Sequence, residues 1–128
     1  MTIEAEQAPV NRPSSRPVEE RVRSYFADTP ILAEIARCES GFNQFDAQGN
    51  VLRGRITRND MGVMQINEGY HGERAEELGY DIKTLEGNMA FARYLYNKYG
   101  IQPWSASAKC WKKTVAYEQQ IAQATPKN

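Results

Sequence analysis

Histidine occurs once in this chain, as His71, and cysteine twice, as Cys38 and Cys110. So thin a supply offers none of the short, repeated ligand spacing that a structural zinc site needs, and neither a metal nor a cofactor is expected. Charge of one sign is also missing. The 16 lysines and arginines are balanced by 16 aspartates and glutamates, so there is no electrostatic footprint for nucleic acid or an anionic membrane. Nor is there a long apolar run of the kind that spans a bilayer. The opening segment, residues 1–16, lacks both the apolar stretch of a signal peptide and any helical periodicity. It reads as a tether, in a processed chain, a recombinant start or a piece of a larger protein.

What is present suits one soluble domain. A chain of 128 residues, 41% apolar and 25% charged, can bury a real core. The two cysteines are distant in sequence, and sparse, even usage favours a Cys38–Cys110 disulfide over two buried thiols. A loop of that length constrains the unfolded chain by roughly 3 to 5 kcal/mol. It also implies an oxidising compartment, periplasmic or extracellular.

The periodicity predicts a mainly helical α+β fold with a small β-hairpin or sheet beside the helical body. After Pro17, Val22, Tyr25 and Phe26 fall at helical spacing in a short helix that ends near Asp28. Thr29 is the expected N-cap and Pro30 the first residue of a second helix, ILAEIARCES, stopped by Gly41. The segment QFDAQGNVLRGR suggests a hairpin about Gly49 and Asn50. NDMGVMQIN reads as an extended run with Val63 and Gln65 on one face, Met64 and Ile66 on the other. A short helix is expected over 73–78, stopped by Gly79. A longer one capped by Thr84 runs to about Lys98 with Leu85, Met89, Ala92 and Tyr96 on one stripe. Residues 103–111 read as a loop entering a short helix, and 114–128 as a terminal helix or tail beyond the folded segment 17–113.

One residue in this plan invites chemistry. Ile31, Ile35 and Cys38 share a helix face, which places Glu39 in the final turn. There the negative end of the helix dipole and the apolar neighbours Ile35, Cys38 and Phe42 both disfavour a charged carboxylate. A carboxylic acid that keeps its proton near neutral pH can deliver it to a leaving group. The alternative is an ordinary solvated glutamate at a helix end.

Three elements then stand in register: ESGF at 39–42, GVMQIN at 62–67 and NMAFARYL at 88–95. Together they resemble the lytic transglycosylase family of the lysozyme-like superfamily, over roughly residues 29–111. The resemblance implies cleavage of the β-1,4 bond between N-acetylmuramic acid and N-acetylglucosamine in peptidoglycan glycan strands. Glu39 would be the lone acid and base, and the sugar's own 6-hydroxyl would close a 1,6-anhydro product. Ser40, Met64, Gln65, Ile66 and Asn67 would line the glycan cleft, with Tyr94 near the acid. Many members carry AYN after that last helix, where this chain has PWSAS. Trp104 and Ser105 are therefore candidates for a sugar-stacking wall and a polar contact, although Trp104 equally suits the core.

Other readings remain at this point. Asp60 is either a turn or surface residue or a second acid, holding water for hydrolysis as in lysozyme-type muramidases; Asp46 is a weaker candidate of the same kind. A cysteine peptidase would need Cys38 or Cys110 in contact with His71. A glycan-binding module could share the fold without the chemistry. A monomer is expected, and the balanced charge suggests that it acts locally, tethered to or recruited by a larger assembly.

Overall fold

A computed structural model describes residues 17–124; the proposed tether, 1–16, and residues 125–128 lie outside them. The described residues form six α-helices and one small antiparallel hairpin, a mainly helical α+β architecture. Helix α1 spans Val18–Tyr25 and α2 Pro30–Ser40. Strands β1, Asp60–Met61, and β2, Ile66–Asn67, pair with Asp60 opposite Asn67 and Met61 opposite Ile66. Helices α3, Glu68–Glu77, α4, Leu85–Tyr99, α5, Ala108–Trp111, and α6, Val115–Ala124, follow. Among the described residues, no helix is long and apolar enough to cross a membrane.

Helix α2 is central because it is buried over most of its circumference. Ile31, Leu32, Ala33, Ile35 and Ala36 are all inaccessible to solvent or nearly so, and each large apolar side chain removed from water contributes about 1.5 to 3 kcal/mol. Pro30 supplies the preset φ of a first helical residue, and Gly41, at φ 62°, closes the helix in the left-handed conformation. Thr29 sits at the N-cap position but its side chain does not cap. Its hydroxyl donates instead to Asp28, while Arg93 of α4 donates to both residues. A disulfide joins Cys38 to Cys110 and so pins α5 to the end of α2.

Several local expectations are corrected. Residues 62–65 do not continue an extended run with alternating faces; they form a tight turn between β1 and β2, and Val63 and Met64 are both fully buried. The hairpin about Gly49 and Asn50 is reduced to one bridge, Phe45 to Val51, and a separate bridge pairs Arg53 with Met61 of β1. Helix α3 starts at Glu68, well before 73, because the Asn67 side chain caps it by accepting from the Tyr70 amide at 2.9 Å. Residues Gln102–Ser107 form a 3-10 segment rather than an open loop. Helix α6 docks rather than trailing away, with the Tyr96 hydroxyl donating to Gln120 at 2.8 Å.

The buried turn has to satisfy its backbone without water. The Val63 amide donates to Gln44 Oε1 at 2.8 Å and the Met64 amide to Asn88 Oδ1 at 2.8 Å. In return Ser40 Oγ donates to the Val63 carbonyl at 2.7 Å and Trp104 Nε1 to the Met64 carbonyl at 2.9 Å. Gly62, at φ 76°, admits no side chain, since a Cβ there would stand 2.5 Å from Asn88 Nδ2 and 2.7 Å from the Gln44 amide.

Asn88 also donates to the Met61 and Ile82 carbonyls, so Asn88→Ala strands several buried polar groups at once. A loss of about 3 kcal/mol is expected in urea unfolding, since each orphaned group costs roughly 1 to 3 kcal/mol. A loss under about 1 kcal/mol would show that this amide does not hold the turn.

Candidate active site

Beside the end of α2 lies a cleft of about 820 Å3, lined by Glu39, Asp60 and Ile66 of the hairpin, Tyr94 of α4 and Trp104 among others. The fold brings these together from separate elements for identifiable reasons. The last turn of α2 carries Glu39, the short sheet carries Asp60 and Ile66, and the 3-10 segment turns Trp104 inward, where it is only 3% exposed.

Glu39 is half-buried. Burial pushes its carboxyl above the ordinary carboxylate range; a hydrogen bond from Ser107 works in the opposite direction, and the nearby charge of Asp60 adds to the rise. The drying expected at the helix end is present, and Asp60 adds a charge that expectation did not include. Ser107 Oγ lies 2.7 Å from Glu39 Oε2, 3.0 Å from the donating Trp111 Nε1 and 3.1 Å from the Trp104 carbonyl. A hydroxyl has one proton to give. With Glu39 ionised, Ser107 donates to the carboxylate. With Glu39 protonated, the acid donates to Ser107, whose own proton turns to the Trp104 carbonyl. Both protonation states therefore find partners without any backbone movement.

Of the residues expected to line a glycan cleft, Gln65, Ile66, Asn67, Tyr94, Trp104 and Asp60 share its wall with Glu39. Met64 and Ser40 do not. Met64 is fully buried, and Ser40 is spent on the Val63 carbonyl, with the Ala36 carbonyl 3.0 Å away. Both residues shape the cleft from behind, because burying the turn requires them there. Gln65 sits at φ 49°, and its Nε2 donates back to the Gly62 carbonyl at 3.0 Å. Asn67 Nδ2 donates to Asp60 Oδ1 at 3.0 Å, so one carboxylate oxygen of Asp60 is already engaged. Trp104 is at once core and wall.

Ser105, read as the polar contact, donates to the Gln102 carbonyl and lies off the cleft. Ser107, also outside the cleft lining, is the serine that bonds to Glu39, and sequence reasoning missed it. A signal was available: Cys38 precedes Glu39 directly, and its partner Cys110 lies three residues beyond Ser107. The α3 and α4 residues His71, Arg74, Lys98 and Tyr99, which also line the cleft, carried no recognisable motif. Asp46 is a turn residue, its Oδ1 accepting from the amides of Gln48 and Asn50. With both cysteines bonded to each other, no free thiol is left to serve as a peptidase nucleophile. Among the described residues no cluster of His, Cys, Asp and Glu is arranged to hold a metal ion.

Comparison of the chain with known protein families, with curated proteins and with solved structures returns no match.

A raised folded-state pKa means that the native protein binds more protons than the unfolded chain between the ordinary glutamate value and the shifted one. Stability attributable to Glu39 therefore falls as pH rises through that window and is unaffected below it. Glu39→Gln, which cannot ionise, should match the parent near pH 4 and exceed it in melting temperature at pH 7. An equal difference at both pH values would mean that the carboxyl titrates normally.

Proposed function

We propose that this protein is a peptidoglycan lytic transglycosylase of lysozyme-like fold, acting in the periplasm or outside the cell. The observation that carries the reading is a single carboxylic acid, Glu39, raised in pKa by burial and held by Ser107 at the wall of a large cleft. The resemblance of ESGF, GVMQIN and NMAFARYL to motifs of that family supports it.

In this mechanism protonated Glu39 delivers its proton to the glycosidic oxygen as the bond to C1 breaks. Positive charge develops at C1 and the ring oxygen. The 6-hydroxyl of the same sugar attacks C1 and passes its proton to the Glu39 carboxylate, which restores the acid and leaves a 1,6-anhydro end. No water enters and none leaves, so the two products together weigh what the substrate weighed. An internal nucleophile removes the need for a second carboxylate. Ser107 fits both halves of the cycle, accepting from the acid before transfer and donating to the carboxylate after it. Asp60 contributes through its charge, which helps keep Glu39 protonated.

A lysozyme-type hydrolysis, with Asp60 holding the attacking water, is the second reading, because Asp60 stands on the same cleft wall. Product mass separates the two: a transglycosylase digest yields muropeptides lighter than hydrolytic ones by one water. Glu39→Gln is expected to lower turnover by about a thousandfold while still sedimenting with purified peptidoglycan. A parent protein that binds and never cuts would instead indicate a glycan-binding module. Ser107→Ala should lower kcat and move the alkaline limb of its pH profile upward, because the lost hydrogen bond favours the ionised form. A limb that stays in place would remove Ser107 from the proton cycle.

A further inference from the structure

The cleft is electrically divided. Beside the hairpin it is lined by Asp60 and the acid Glu39, whose raised pKa disfavours charge, and on the α3 and α4 side by two cations, Arg74 and Lys98. A neutral N-acetyl sugar is held by aromatic stacking and hydrogen bonds and makes no use of paired cations. Neither cation is firmly engaged within the protein. Lys98 Nζ lies 5.9 Å from the Tyr94 ring centre and 5.5 Å from that of Tyr99, and among the described residues no ion pair is found for it. Arg74 meets Glu77, one turn along its own helix, at 3.2 Å with both side chains more than half exposed. Such a pair contributes little and leaves most of the guanidinium donors free. Tyr70 and Tyr99 border the same cleft and are 85% and 53% exposed.

We propose that Arg74 and Lys98 form a carboxylate-binding subsite that takes the acidic peptide substituent carried by the glycan, with Tyr70 and Tyr99 flanking it. This inference rests on the glycan-cleaving reading of the same cleft and adds to it a preference for peptide-bearing strands. The division of charge also sets direction. An anionic substituent is repelled from Asp60 and drawn to the α3 and α4 wall, which orients the strand so that a neutral glycosidic oxygen faces the protonated acid.

The test measures affinity by calorimetry in the Glu39→Gln background, where substrate persists. Three soluble probes are compared: glycan fragments carrying their peptides, the same fragments after amide hydrolysis, which leaves only the lactyl carboxylate, and chitin oligosaccharides, which carry no carboxylate. Peptide-bearing fragments should bind about tenfold more tightly than chitin oligosaccharides at low salt, the advantage shrinking as ionic strength rises. Adding Arg74→Met and Lys98→Met, both at exposed positions, should abolish that advantage. If hydrolysed fragments keep the full advantage, the lactyl group rather than the peptide is the ligand, and the peptide assignment falls. Equal binding of all three probes, or an advantage that survives the double substitution, overturns the subsite alone. If none of the three probes binds, the glycan-cleaving reading fails with it.

Discussion

Burying a chain reversal inside a helical body demands that its backbone amides and carbonyls find partners other than water. Here the turn between β1 and β2 is met by four side chains from four parts of the chain: Ser40 at the end of α2, Gln44 after it, Asn88 on α4 and Trp104 in the 3-10 segment. The consequence reaches the cleft directly. Ser40 follows Glu39 in the chain, so the bond that holds the turn also fixes the end of α2. Trp104 anchors the 3-10 segment to the same turn. Drying of the acid and burial of the turn are one packing event.

This arrangement explains why the motif residues divide into two groups. Ser40, Met64 and Asn88 look toward the interior and make the cleft possible, whereas Gln65, Ile66, Asn67 and Tyr94 border it. A polar residue in a recognisable motif need not touch a ligand. Asn67 illustrates the overlap, since it caps α3, donates to Asp60 and lines the cleft at once.

The end of α2 was legible from residue order alone, because Ile31, Ile35, Cys38 and Gly41 define both a face and a stop. Helix α4 was legible for similar reasons, with Thr84 capping it by accepting from Gly87 at 3.0 Å. The turn at 62–65 was not. Val63 and Met64 are apolar and adjacent, which a strand also permits, and only Gly62 hinted that the backbone would reverse. The start of α3 was hidden by Gly69 and Gly72, poor helix formers that tertiary packing overrides. Ser107 escaped because it belongs to the site through the disulfide rather than through any local pattern. The cationic wall, Arg74 and Lys98, depends on how α3 and α4 meet, which periodicity does not specify.

All of this converges on one carboxyl group whose pKa partial burial raises. Its titration can be followed directly by carbon NMR on protein labelled at the glutamate side-chain carboxyls, with Glu39→Gln identifying the resonance. The account predicts a midpoint clearly above that of the exposed glutamates in the same spectrum. A midpoint among them or below them would contradict it.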